Sequence, residues 1–482
     1  MVADASLDPT DWASARTDGH RMLDELFDHL QGLRDQPVWR PIPAQVRARH
    51  HADLPTSPGS LSEAHETFKS DVLAYGGGNL HPGFMGWVQG AGTPVGVLAE
   101  MLAAGLNGNL GGRDHMPIAI EQEVVGWMRA LFRFPETATG LMVTGASMAN
   151  FIGVLVARRR ALGPDGRRSG VAGPRLTAYA STATHGCVSR GMDMAGLGSV
   201  NLRQVATDAG HCIDLEALKA AIAADRAAGL RPFLLVANAG SVDAGAIDDI
   251  EALADLAAAE DLHLHVDGAY GALGMLTPEI APRLKGIERA DSLAFDFHKW
   301  AHVPYDAGFI LVRDGALHRE TFAAQAAYLS RETRGLAGGD FWPCDYGPDL
   351  SRGFRALKVW FTFKVLGADA IARAIEHNCA LARDLQRRIE AEPALELLAP
   401  AQLSIVCFRY RADAAGVDAL NRAIVADLHE AGAVAPSITT LDGKAAIRAA
   451  LFNHRTEARD IEALVDGVLA LGRARTGKEG AK

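Results

Sequence analysis

From Gly140 onward the chain repeats one grammar: a short apolar run, a polar or glycine-containing turn, then a longer amphipathic run. The apolar runs predict strands at Leu141–Thr144, Thr177–Ser181, Leu202–Ala206, Phe233–Ala237, Leu262–Val266, Ser292–Phe297 and Phe309–Val312. Between them, helical spacing predicts helices such as Ser147–Leu162, Leu215–Ala228 and Ile250–Ala259. The last opens on Asp248-Asp-Ile-Glu251, which reads as a capping box. Strands alternating with helices close into right-handed βαβ units, so the expected fold class is α/β with a large, mainly parallel sheet. A long helix over Arg355–Leu366 leads out of this region. Beyond it, the strand Leu403–Phe408 and the closing helix Thr456–Leu471 predict a smaller α+β domain.

A chain of 482 residues is too long for one small core and suggests two or three domains. Met22, Leu23, Leu26, Phe27, Leu30 and Leu33 predict a helix over Arg16–Leu33. An extended arm is expected over Pro37–Pro58 and a second helix over Ser60–Leu73. This leading segment has too little apolar surface for its own core, so it is expected to pack on another domain or on a partner subunit. The expected division is a helical arm over 1–75, a large α/β domain over 76–366 and a small C-terminal domain over 367–482.

A net charge of −10 argues against a general nucleic-acid or anionic-membrane surface. The start, Met1-Val-Ala-Asp-Ala-Ser6, has no basic-plus-apolar leader pattern, and no apolar run reaches membrane-spanning length. Cys187, Cys212, Cys344, Cys379 and Cys407 lie far apart without a CxxC pair. That spacing points to reduced thiols in the cytoplasm and gives no sign of a zinc site, so no metal is expected.

The chemistry-bearing residues fall where strands end, which is where open α/β sheets bind ligands. Lys299 follows the strand in Asp291-Ser-Leu-Ala-Phe-Asp-Phe-His-Lys-Trp300. A lysine partly stripped of water there is an amine able to condense with a carbonyl. Thr144-Gly-Ala-Ser-Met-Ala-Asn150 turns from strand to helix, and Gly145, Ala146 and Ser147 make a cradle suited to phosphate. Asp267 ends the apolar strand of His265-Val-Asp-Gly-Ala-Tyr270, where a carboxylate can hold a heterocyclic nitrogen protonated. Ala269 leaves room there for a flat ring. His185, in Thr182-Ala-Thr-His-Gly-Cys187, can stack on that ring. Amine, phosphate cradle, acidic partner and stacking imidazole together meet the needs of pyridoxal 5′-phosphate (PLP).

His265-Val-Asp267, Asp291-Ser292, His298-Lys299-Trp300 and Phe354-Arg-Ala-Leu-Lys-Val-Trp360 resemble the group II PLP-dependent amino-acid decarboxylases, which include aromatic-L-amino-acid, glutamate and tyrosine decarboxylases. The similarity extends over nearly the whole chain, with His81-Pro82 before an aromatic stretch. It implies a fold type I, aminotransferase-like architecture and a homodimer with active sites at the subunit interface. It also implies that Lys299 forms the Schiff base, that Asp267 partners the ring nitrogen and that His185 and Ala269 contact the ring. Gly145, Ala146, Ser147 and His298 would hold the phosphate, and Asn238 would stand where the aromatic enzymes carry Thr.

The resemblance further implies a proton-donating tyrosine on a mobile loop, here 330–348 with its Gly335, Gly338 and Gly339. Tyr346 is the candidate, with His185 as the other possible acid. Phe341 near the usual slot keeps aldehyde synthase chemistry, and an aminotransferase, as alternatives to simple decarboxylation. Val88-Gln89-Gly90 replaces an aromatic-Pro-Thr stretch, and Asn109, Arg113 and His115 add polarity. With Trp87, these residues are the expected substrate pocket, for a polar or acidic amino acid as readily as an aromatic one.

Overall fold

A computed structural model describes residues 6–171, 173, 175–323, 332–412 and 416–479. The first five residues, read above for a leader, and Ser330 and Arg331 of the expected lid lie outside them. The strands run in chain order as β1 (Phe84–Met85), β2 (Thr139–Val143), β3 (Leu176–Ser181), β4 (Leu202–Val205), β5 (Arg231–Asn238) and β6 (His263–Asp267). They continue as β7 (Ser292–Asp296), β8 (Gly308–Val312), β9 (Leu395–Ala399), β10 (Ile405–Tyr410), β11 (Ala435–Leu441) and β12 (Lys444–Ala450).

The large sheet has the order β2-β8-β7-β6-β5-β3-β4. Neighbours from β7 to β4 are parallel, and β8 runs antiparallel to both β7 and β2. Every residue of β3, β6, β7 and β8 is buried. Helices therefore cover both faces, which is why these strands read as continuous apolar runs. Each expected strand is present with ends within two residues, so the α/β reading stands. Among the described residues no helix is long and apolar enough to cross a membrane.

The small sheet has the order β1-β11-β12-β10-β9, with β1 parallel to β11 and the other pairs antiparallel. Its core packs Leu385, Phe408, Leu428, Ile447 and Leu464 from three helices and two strands. Phe84 and Met85, grouped by sequence with the large domain, pair here with Ala435 and Pro436.

Three local expectations change. The arm at Pro37–Pro58 contains a short helix, Ala44–Arg49. The second helix starts at Leu61 with a capping box between Ser60 and Glu63 but is α-helical only to Thr67, widening to a π turn over Phe68–Val72. The helix Ile250–Ala259 is capped by Asp249, whose carboxylate accepts from Ala252 N, so no box forms between Asp248 and Glu251. Asp248 is buried instead, accepting from Ile213 N and Asn238 N.

Candidate functional site

β7 ends at Asp296, and the next turn carries His298 and Lys299. Lys299 Nζ lies 2.9 Å from Asp296 Oδ2, and Asp296 Oδ1 accepts from Ala146 N at 2.6 Å. One carboxylate thus joins the lysine to the amino end of the helix Ala146–Leu162. His298 Nδ1 accepts from Ala307 N at 3.1 Å, and its ring packs 4.2 Å from that of Tyr305, centroid to centroid. Burial lowers the His298 pKa below its ordinary value, against the pull of Asp296.

One strand away, Asp267 ends β6. Its Oδ1 accepts from Ala269 N and its Oδ2 from Asn150 Nδ2, each at 3.1 Å. Burial pushes the Asp267 pKa up, while the Ala269 N–H and the charges of Lys299 and His185 pull it down. His185, at the start of the next segment after β3, is exposed, and its Nδ1 accepts from Cys187 N at 3.2 Å. The neutral imidazole therefore carries its proton on Nε2. Buried Cys187 beside it has its thiol pushed up to about 12, chiefly by burial, and is a neutral wall. Asn238 Nδ2 donates to Ser181 Oγ, Thr184 Oγ1 and Asp248 Oδ2.

These groups border one cavity of about 620 Å³. Of the residues singled out by sequence, Trp87, Gly145, Ala146, Ser147, His185, Asn238, Asp267, Ala269, His298 and Lys299 line it, as do Val88 and Gln89. Four others stand apart from it in this chain. Asn109 Oδ1 accepts from Gly111 N and Arg352 N and so shapes its own loop. The Arg113 guanidinium lies 4.7 Å over the Trp342 ring, and His115 precedes the helix Met116–Leu131. Tyr346 is buried in an apolar cluster, its ring stacked on Phe341 at 4.5 Å and edge-on to His318 at 5.3 Å.

Sequence reasoning missed several walls of the cavity. Asp296 was legible as an acid three residues before the lysine at a strand end. Asn150 lay inside a noted motif, but its reach to Asp267 is a matter of packing. Tyr305, Asp243, Ser437, Thr439 and Arg448 carry no local signal. Arg448, 4% exposed, donates to Val242 O at 2.5 Å and Trp87 O at 3.0 Å, tying the small sheet to the cavity rim.

The pattern of the pyridoxal-dependent decarboxylase conserved domain matches residues 43–411. An aromatic-L-amino-acid decarboxylase of Bacillus atrophaeus is 34% identical over 466 residues, 94% of each chain. A phenylacetaldehyde synthase of Arabidopsis thaliana is 27% identical over 475 residues, 95% of each chain. In fold, the chain is similar to the crystal structure of Oryza sativa TDC with PLP and tryptamine, with a TM-score of 0.89 at 24% identity, covering 98% of this chain and all of that one.

Proposed function

The chain belongs to the family of pyridoxal-dependent decarboxylases, PLP-dependent carboxy-lyases, and from that premise we propose that it removes the carboxylate of an L-amino acid as CO2 and releases the amine. The observation that carries this reading is the meeting of Lys299 and Asp267 on one cavity. The donor set fits PLP: an amine, a buried carboxylate from the neighbouring strand, and a helix amino end between them. When bound, PLP supplies an aldehyde that condenses with amines and a ring that accepts the electron pair left by a departing carboxylate.

The chain's own residues then divide the work. Lys299 offers the amine, with Asp296 holding its charge until the cofactor arrives. Asp267 keeps a proton on the ring nitrogen, favoured by a site that shields the pair from water. Gly145, Ala146, Ser147 and His298 hold the phosphate, and His185 and Ala269 border the ring. Asn238, pinned through Asp248, fixes the wall beside Asp267. The substrate side chain meets Trp87, Val88 and Gln89, which suit an aromatic or a polar amino acid. For the proton returned to Cα we assign His185 Nε2, because His185 lines the cavity whereas Tyr346 is enclosed among apolar side chains.

That same placing of Tyr346, next to Phe341, favours the aldehyde synthase as second reading. Such an enzyme takes up O2 and water and yields aldehyde, CO2, ammonia and hydrogen peroxide. We also read the protein as a cytoplasmic homodimer whose N-terminal arm packs on the partner: the helix Trp12–Gln31 buries none of its residues within one chain. Incubation with a panel of L-amino acids, assayed for CO2, amine, aldehyde and peroxide, tests the reaction. Amine equal to CO2 is expected from the wild type, with loss of at least 1000-fold in Lys299→Ala, on the order of what removing a covalent catalyst costs. Peroxide equal to CO2 would establish the second reading, and CO2 release undiminished in Lys299→Ala would overturn both.

A further inference from the structure

Behind Asp267 a line of buried polar side chains crosses from the cavity into the sheet. Asn150 Nδ2 contacts Asp267 Oδ2 at 3.1 Å, and Asn150 Oδ1 contacts His265 Nε2 at 2.6 Å. His265 Nδ1 lies 2.7 Å from Ser292 Oγ, and Ser292 Oγ lies 2.8 Å from His263 Nε2. The line ends there, because His263 Nδ1 has no partner. Asn150, His263, His265 and Ser292 are each at most 1% exposed. The strand register builds this line. His263, His265 and Asp267 alternate onto one face of β6, and Ser292 of β7 stands opposite His265. Gly153 makes room, since a Cβ there would lie 2.6 Å from the His265 ring.

Proton bookkeeping along the line allows one direction when Asp267 is ionised. A carboxylate only accepts, so Asn150 must turn its NH2 to Asp267 and its oxygen to His265. His265 must then carry hydrogen on Nε2 and accept at Nδ1. Ser292 has one hydrogen, which goes to His265, so its oxygen accepts from His263 Nε2–H. His263 is left with a bare nitrogen at the unpartnered end. Protonating Asp267 would allow every link to reverse, but that would leave an N–H buried and unpaired at His263, which is costlier than a bare lone pair. The orphaned end thus biases the whole line toward donating to Asp267, and aligned hydrogen bonds polarise one another.

We infer that His263, Ser292, His265 and Asn150 form a one-way hydrogen-bond relay that keeps Asp267 ionised and aimed at the cofactor's ring nitrogen, with Ser292 and His265 as positioning residues. The inference rests on the assignment of Asp267 to that nitrogen. Burial lowers both histidines to about 3, so the relay is neutral at working pH and acts by polarisation without supplying a proton. The titratable groups that act on Asp267 are Lys299, His185, Asp296 and Cys187, all outside the relay.

The relay makes a statement about the cofactor-free protein. With 15N-labelled histidine at pH 7, the signals removed by His263→Gln and His265→Gln should each report a neutral ring protonated on Nε2. A cationic ring, or one protonated on Nδ1, overturns the relay. Titrating PLP into apo protein gives the second readout. Ser292→Ala should bind about tenfold more weakly than wild type, the effect of one buried hydrogen bond to a charged network, and its visible absorbance should titrate at a displaced pH. Wild-type affinity together with an unmoved absorbance profile in Ser292→Ala would also overturn it. Should Ser292→Ala fail to fold, the ring signals of the wild type decide alone. Should wild-type protein bind no PLP, the functional reading falls while those signals still test the relay.

Discussion

At position 90 a single methyl group is too much. A Cβ on Gly90 would run into the carbonyl oxygen of His298 and stand 2.5 Å from that of Lys299. The loop after Trp87 therefore presses directly on the backbone that carries the lysine. Gly90→Ala should cost about 1–3 kcal/mol in urea unfolding, the range for overpacking a tight site, and should lower CO2 release with it. Full activity at wild-type stability would show that the loop does not set the lysine. Lys299, Asp267 and Ser147 were readable because each sits at a strand end that its own neighbours define. Asp296 and Arg448 were not, because their meaning lies in partners: a carboxylate shared by Ala146 and Lys299, and a guanidinium spent on carbonyls of Trp87 and Val242. Sequence shows the ends of strands; it does not show which side chains from elsewhere converge on them.

Among elements, the segment from 332 to 354 is fastened to the α/β domain by one buried pair. Arg352 Nη2 donates to Glu121 Oε1 at 2.6 Å and Nη1 to Glu121 Oε2 at 3.1 Å, with further bonds to Leu110 O and Met142 O. Met142 N donates to the same carboxylate, so the pair also locks β2 to the helix Met116–Leu131. Both side chains are at most 1% exposed. Arg352→Met alone should destabilise by about 3–5 kcal/mol, since it strands a buried carboxylate, and adding Glu121→Leu should recover part of that loss. Urea unfolding of the two single variants and the double variant measures the coupling; strictly additive losses would refute it. Elements with a period were legible, and the helix Arg355–Leu366 falls where its apolar spacing put it. Loops were not. Tyr346 was expected over the cavity, but the pinned Arg352 and the Trp342 ring under Arg113 route its loop so that it joins an apolar cluster with Leu141 and Phe341.

In the whole molecule, charge and assembly are set by what is buried. His263, His265, His302 and His318 are enclosed, and burial lowers all four below the ordinary histidine value, to about 3 for His263, His265 and His318. A histidine held neutral when folded binds its proton only on unfolding. Stability is therefore full above the unfolded value and is lost as pH falls below it, by about 1.4 kcal/mol per pH unit for each such group. The urea midpoint should fall steadily between about pH 6.5 and pH 5; a flat midpoint would mean that these rings titrate normally. The uncovered helix Trp12–Gln31 belongs to the same scale. Sedimentation should show a dimer for the full chain and a monomer once residues 1–35 are removed, whereas a monomeric full chain would refute the arm's role. The α/β plan was legible because alternation is a property of long stretches, but the partnership of β1 with β11 was not, since Phe84 and Ala435 are strangers in sequence. That partnership has a consequence for synthesis. The strip that finishes the C-terminal sheet leaves the ribosome roughly 350 residues before the edge it must cover, and contacts that distant close slowly. Until then the nascent β11 edge would be open to adhesion by other chains, so this protein should be sensitive to chaperone supply during expression, and supplying residues 76–93 as a free peptide should rescue folding of a chain that lacks them.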